Sequence, residues 1–476
     1  MSSVLAHDLP DTAGTPAVDI DKTAYPMLLA ERTWGSWRLL FSLTTVAAAT
    51  WCYIIGEYVG YYLGFWQSLA VLVAGSMIGI FLVIMALMPT CIRFGIDSIA
   101  ACKPQFGTRG WIIPFALQYL SIFGWNSLLL IFFGRSFAQF LVAVGALPAG
   151  DHSMVSAIAT LVACSISFSV LLKGSRGVDR VAQILVVHVV VGFWMLWLIV
   201  SQRWDTLVSA VPQYAAPEAQ WNYVTGIELA IAPALSWWPY FGAMVRMTPS
   251  ARKAAAPAMI GFGLVVGLLS MIGVAGILVL QISDPAQWMA TIGGPTYAII
   301  ALAFVTAANL GTAVAGIYAS AIGLRHYKAL EKAPWPLLLL LSVGPVAFIG
   351  IGLPTLFFDN FGTFLAFIAV AFAPLCGIQI ADYWILRRGR VSIRAIYDGR
   401  PGTDYYFWGG FNPAAVLSLL IGIGTYLYLL NPLSYASAWP YQITTASLPA
   451  ALVAGLAFII ITRLLVIRAD KGGYEA

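Results

Sequence analysis

Charge is what this chain has least of. Asp, Glu, Lys and Arg make up only 9% of its 476 residues, against about a quarter in a soluble chain of ordinary composition, so a normal water-facing surface is excluded. Histidine is also scarce: His7, His152, His188 and His326 lie far apart and offer no cluster for a metal ion. Cys52, Cys91, Cys102, Cys164 and Cys376 show no CxxC spacing, and none falls in a segment expected on the outer side, so neither a zinc site nor a disulfide framework is expected. The chain has no P-loop, no GxGxxG opening a βαβ unit and no Ser/His/Asp spacing. Nucleotide-driven work and hydrolysis are therefore not expected, and neither is a cofactor. The first thirty or so residues carry Asp8, Asp11, Asp19 and Asp21 but no basic stretch leading into an apolar one. They do not form a signal peptide, and 1–33 reads as a disordered cytoplasmic tail.

What the chain has is apolar length. Hydrophobic residues make up 60% of it, gathered in runs that match a hydrocarbon slab of roughly 30 Å. In lipid the backbone must satisfy itself, and continuous runs without strict alternation select helices over a closed barrel. Twelve spans are expected, near 38–60, 66–90, 112–145, 154–172, 179–202, 224–245, 256–282, 296–324, 336–353, 362–386, 411–431 and 446–467. The expected fold is thus an all-α membrane protein, with a transmembrane domain over 34–468 and a short cytoplasmic tail over 469–476.

The connecting segments alternate in charge. Arg93, Lys103 and Arg109 mark one basic group; Lys173, Arg176 and Arg180 the next; then Arg246, Arg252 and Lys253; Arg325, Lys328 and Lys332; and Arg387, Arg388, Arg390, Arg394 and Arg400. Between them 61–66, 146–153, 283–296, 354–361 and 432–446 hold no Lys or Arg, and Arg203 alone breaks the pattern in a connector. Basic segments stay on the cytoplasmic side, so both termini are expected there, in a plasma (cytoplasmic) membrane. The net charge of +5 belongs to these segments and calls for no nucleic acid. The bilayer and a small molecule are the expected partners, with no obligate protein partner.

Two spans should be irregular. The sixth contains Pro233-Ala-Leu-Ser-Trp-Trp-Pro239, and each proline removes a donor and crowds the preceding turn. The first is rich in small and hydroxylated residues at its centre, Thr44 to Thr50, without proline. Broken helices five spans apart are the mark of inverted-repeat transporters, which bind substrate at the breaks. Trp125 lies mid-span, and Trp237 and Trp238 lie beside the sixth-span break. Tryptophan prefers membrane interfaces, so indoles at this depth are candidates to stack on a planar heterocycle; ordinary bundle packing is the alternative. Gln118, Asn126, Ser236, Asn309 and Thr312 place polar groups in the same spans, where they either line a site or join helices. Glu57, Glu228 and Asp382 are intramembrane carboxylates and so functional candidates. Asp382 precedes Arg387 by about one turn, which also suits a structural ion pair.

Several segments resemble the nucleobase:cation symporter family of cytosine, purine, allantoin and hydantoin permeases. The most specific is Ile380-Ala-Asp-Tyr-Trp-Ile-Leu-Arg-Arg-Gly389, supported by Tyr405-Tyr-Phe-Trp-Gly-Gly-Phe-Asn412, by Arg93-Phe-Gly-Ile-Asp-Ser98 and by Trp237-Trp-Pro-Tyr240 followed by Arg246. The resemblance implies a leucine-transporter-like 5+5 inverted repeat plus two C-terminal helices, and uptake of a nucleobase-like ring in symport with Na+ or H+. It implies that Trp125 stacks on substrate and that Trp237 is the sixth-helix aromatic, although a second alignment gives that place to Ala234. Asn126, Gln118, Ser236, Trp238 and Val46 complete the expected substrate set. The implied sodium site falls at Ser42, Thr45, Ala308 and Thr312, with Gly311 where relatives carry a second hydroxyl. Val46, Ala315 and Ile122 replace amides that read the ring edge in relatives, and Ala243 replaces an acidic residue, so proton coupling through Glu57 or Glu228 is the other expectation. Alternatives on the same residues are an amino-acid or osmolyte carrier and a non-transporting membrane receptor.

Overall fold

The structure, a computed structural model, describes residues 22–185, 187–282, 291 and 294–474. Residues 1–21 of the expected tail lie outside that set. The described part is helical. In chain order it contains α1 (Ser36–Ala47), α2 (Thr50–Gly60), α3 (Phe65–Phe94), α4 (Ser98–Phe106), α5 (Ile112–Ala143), α6 (Ser153–Leu171), α7 (Ser175–Leu185) and α8 (Val187–Gln202). These are followed by α9 (Ala219–Leu235), α10 (Trp238–Val245), α11 (Ala251–Leu280), α12 (Pro295–Leu324), α13 (Trp335–Gly352), α14 (Phe361–Ile380, continued by a π-turn over Ala381–Leu386), α15 (Pro413–Leu429) and α16 (Ser447–Ile467).

Among the described residues, nine helices are long and apolar enough to cross a membrane, and ten when α1 and α2 count as one bent span. The other two expected spans are the shorter apolar α15 and the α9/α10 pair.

Both expected breaks are present, for different physical reasons. Between α1 and α2 the axis turns by 60° although no proline is there. Ala49 is extended, with φ −134° and ψ 176°, and the freed end of α2 is capped from α12: Thr50 N and Thr50 Oγ1 donate to Asn309 Oδ1 at 3.1 and 2.8 Å. Such a cap satisfies donors that a helix start leaves open. Between α9 and α10 the cause is local. Pro239 occupies the first turn of α10, where its missing N–H costs nothing. Ser98 Oγ donates to Trp238 O at 2.9 Å and accepts from Gly242 N at 3.1 Å, which holds the break against α4.

Glycines set how closely the half-helices are held. A Cβ on Gly56 would lie 1.7 Å from Ser270 O, and one on Gly273 would lie 1.7 Å from Tyr53 O, so α2 and α11 cross backbone to backbone. Small residues permit such contact in membrane bundles.

Both described ends of the chain share one end of the bundle with the basic segments. Residues 22–34, which overlap the expected tail, run across it as a strap. Arg246 donates to Thr23 O at 3.1 Å, Arg325 Nε to Lys22 O at 3.1 Å and Tyr397 OH to Ala24 O at 2.7 Å. Met27 N donates to Gly95 O at 2.9 Å and Trp34 N to Met247 O at 3.0 Å. At the C-terminal end of the chain, Tyr474 OH donates to Asp382 Oδ1 at 2.7 Å. The opposite end opens instead into a cavity of about 440 Å³ lined by Tyr58, Tyr61, Tyr62, Tyr214, Tyr426 and Tyr435 among others.

Candidate substrate-binding site

Five aromatic rings run through the centre of the bundle, where the two broken spans meet α5 and α12. Phe262, in a π-turn of α11 over Met259–Leu264, stacks on Trp237 with centroids 4.1 Å apart and planes 13° apart. Trp237 then meets Trp51 edge-on at 5.5 Å and 65°, and Trp51 meets Trp125 at 5.7 Å and 72°. Trp125 in turn meets Phe364 of α14 at 6.2 Å and 78°. Gly124 leaves room for that last ring, because a Cβ there would lie 2.2 Å from it. Trp125 and Trp237 do face one hollow, together with Leu129, Ser236, Tyr240 and Thr312. The hollow holds only about 10 Å³, barely space for one water, because the indole of Trp51 stands between the other two.

Trp51 is the residue that sequence reasoning missed. It falls just after the hydroxylated stretch of the first span, and that position next to a suspected break was the available signal. Of the two alignments for the sixth-span aromatic, Trp237 lines the hollow. Ala234 instead meets α3, its Cβ 2.6 Å from where one on Gly79 would stand. Trp238 turns the other way. Its Nε1 donates to Gln379 Oε1 at 2.6 Å, and its ring lies 5.8 Å from Phe372, so it joins α10 to α14.

Polar groups gather on one side of the rings. Asn126, fully buried, flanks Gly316 opposite Tyr240. A Cβ on Gly316 would lie 2.7 Å from both Asn126 Oδ1 and a Tyr240 ring carbon. Among the described residues, neither amide atom of Asn126 has a hydrogen-bond partner, nor has Tyr240 OH or Trp51 Nε1. Buried polar atoms are normally paired, so a donor, an acceptor and a hydroxyl stand ready beside the indoles. Ser236 Oγ donates to Pro233 O at 2.5 Å and lines the hollow. Gln118 is lower on α5 and donates to Ala319 O at 3.3 Å, a helix-joining contact outside it.

A family model described as the permease for cytosine/purines, uracil, thiamine and allantoin matches residues 26–443. The chain belongs to that permease family. It is 23% identical to the purine-uracil permease NCS1 of Arabidopsis thaliana over 89% of this chain and 73% of that protein. It is 25% identical to the cytosine permease of Escherichia coli K12 over 67% of this chain and 70% of that one. In fold it matches Mhp1, a nucleobase-cation-symport-1 family transporter solved closed with bromovinylhydantoin bound, with TM-score 0.73 at 20% identity over 93% and 96% of the two chains. The protein is a permease and not an enzyme, and its helices follow the inverted-repeat transporter fold.

The permease's seam between α1 and α12 brings together part of the oxygen set expected for a cation. Thr312 Oγ1 donates to Val46 O at 2.5 Å, so the side chain and the carbonyl at the break are bonded to each other. Val46 contributes that carbonyl; its side chain is buried outside the hollow. Thr45 Oγ1 donates to Ala182 O at 3.1 Å and so faces α7. Ser42 and Ala308 are buried in the same region, and Gly311 offers no side-chain oxygen. A hard cation wants six or more oxygens, and few are free to converge here. Among the described residues, no group of three or more His, Cys, Asp or Glu could hold a metal.

The two outer carboxylates are placed differently. Glu57 Oε1 accepts from the OH of Tyr61, the C-cap of the same helix, at 2.8 Å. Glu228 accepts four hydrogen bonds, from Tyr426 OH at 2.9 Å, Ala446 N and Ser447 N at 3.0 Å each, and Ser447 Oγ at 2.5 Å. It anchors α9 to the start of α16 while bordering the tyrosine-lined cavity.

At the basic end, Asp97 caps α4 and faces His326, whose Nε2 lies 3.0 and 3.1 Å from the two carboxylate oxygens. Burial lowers His326, Asp97 opposes that, and Lys103 and Arg246 reinforce it; the balance holds the imidazole below its ordinary value. Burial alone would raise Asp97, but His326, Arg246 and Lys103 outweigh it and hold the carboxyl below the usual range. The pair is therefore a neutral imidazole donating from Nε2 to a carboxylate, which can only accept.

Proposed function

We propose that this permease imports a small, uncharged, planar heterocycle of the nucleobase class by cation-coupled alternating access. The observation that carries the reading is the pair of mid-bundle indoles, Trp125 and Trp237, facing one hollow beside the unpartnered amide of Asn126 and hydroxyl of Tyr240. Indole faces stack on flat rings, and an amide with both a free donor and a free acceptor suits the alternating N–H and C=O edge of such a ring. Among the described residues, no charged side chain borders the hollow, which argues against a zwitterion. Ser236 belongs to this site, and Gln118 and Trp238 support it from outside.

The basic end is assigned to the cytoplasm, with both termini there, in the plasma membrane. The tyrosine-lined cavity is then the outer vestibule, and the strap over residues 22–34 closes the inner side. The coupling ion is Na+, held near Ser42, Thr45, Ala308 and Thr312, or H+, carried on Glu57. Glu228, with four donors around it, serves helix docking in this reading.

Uptake of labelled cytosine, adenine, uracil, allantoin and hydantoin into cells lacking their own permeases tests the proposal. Saturable uptake of at least one is expected, and uptake of none would overturn it. Loss of that uptake when choline replaces sodium identifies Na+; loss only with a protonophore identifies H+.

A further inference from the structure

The hollow between Trp125 and Trp237 does not admit a ring as it stands. At about 10 Å³ it holds barely one water, so one of its walls must leave before a heterocycle can enter. The candidates are not equally held. Trp237 is backed over a full face by Phe262 at 4.1 Å and touches Tyr240 at 5.1 Å. Trp125 stands in the middle of the unbroken α5, with Phe364 fitted against Gly124. Trp51 differs in its place in the fold. It stands on the first turn of a half-helix, two residues beyond the extended Ala49, where a change at the break re-aims the side chain. Its contacts with both indoles are T-shaped, and among the described residues no ring stacks on it.

We infer that Trp51 is the specificity-determining residue of the site: its indole keeps the substrate's place, and how far it yields sets the size of ring the permease accepts. This rests on the function proposed above. Binding then exchanges one flat ring for another between Trp125 and Trp237, so the aromatic column stays continuous with and without substrate. A one-ring guest needs a partial withdrawal of Trp51, and a fused two-ring guest needs a complete one.

The test is competition binding to purified full-length protein, with cytosine, uracil and hydantoin as one-ring compounds and adenine and hypoxanthine as two-ring ones. Wild type, Trp51→Ala and Trp51→Phe are compared. Removing the indole should raise affinity for two-ring over one-ring compounds at least tenfold in Trp51→Ala, and about threefold in Trp51→Phe. An unchanged ratio in a folded Trp51→Ala protein would overturn the inference. If that variant does not fold, an unchanged ratio in Trp51→Phe would do so. Failure of the wild type to bind any of the five compounds would instead strike the function proposed above, so the two failures are told apart.

Discussion

Asp382 and Arg387 show how a single pair of side chains serves the basic end. The carboxylate accepts from Arg387 Nε at 2.8 Å, Gln105 Nε2 at 2.7 Å and Tyr474 OH at 2.7 Å. The guanidinium also donates to Gly472 O at 2.7 Å and Pro104 O at 3.0 Å. Both side chains are almost fully buried. Cutting one partner from such a pair strands the other charge, at a cost of about 3–5 kcal/mol. Arg387→Ala should therefore lose about that much stability in thermal or denaturant unfolding in detergent, and a change under 1 kcal/mol would mean the pair acts as an exposed one. Trp125→Ala should weaken heterocycle binding by about 1–3 kcal/mol, the range for a ring stacked on a base. Equal affinities in a direct binding assay would remove Trp125 from the site.

At the scale of elements, α2 is a half-helix with its own set of contacts. It is cut from α1 at Ala48–Ala49, capped by Asn309 from α12 and pressed against α11 at Gly56 and Gly273. Gly56→Ala would put a methyl 1.7 Å from a backbone oxygen, so the helices must part. Overpacking of this kind costs about 1–3 kcal/mol, and a melting temperature equal to wild type would contradict so close a crossing. The junction of α4 with the end of α12 gives a pH dependence. His326 is held below its ordinary 6.5, so the folded state binds a proton less readily than the unfolded chain. Stability is then full above about pH 6.5 and falls as the pH drops below it. Asp97, held below 3.8, adds a second loss at still lower pH, with the same sign. His326→Gln should remove the first loss, as read from melting temperature across a pH series.

For the whole molecule, the asymmetry between ends organises the account. A tyrosine-lined vestibule opens at one end, while the strap, the Asp97–His326 pair and the Asp382–Arg387 pair close the other. Much of this frame was legible in the sequence. Runs of about twenty apolar residues announce helices whatever their neighbours, and Pro239 marks a break by itself. The mid-span tryptophans and the Asp382–Arg387 spacing could also be read directly. The remainder depends on residues far apart in the chain. The role of Glu228 is written in Tyr426 and Ser447, and Trp238 is drawn away from the hollow to Gln379. Trp51 carries a weak signal in its position beside the break, and its contacts with Trp125 and Trp237 give that position meaning. No local pattern carries such pairings, because they arise when the two broken spans are brought against α5 and α12.

The proposed function places a neutral planar ring between Trp125 and Trp237. Its most direct measurement is a thermal-shift series on the purified protein with a panel of nucleobases and hydantoins, beside amino acids and betaine, since a ligand that prefers the folded state raises its melting temperature. Binding between the two indoles predicts a saturable rise with at least one heterocycle, diminished in Trp125→Ala and in Trp237→Ala, and none with the zwitterions. A rise with an amino acid or betaine alone, or a heterocycle shift undiminished in both variants, would contradict it.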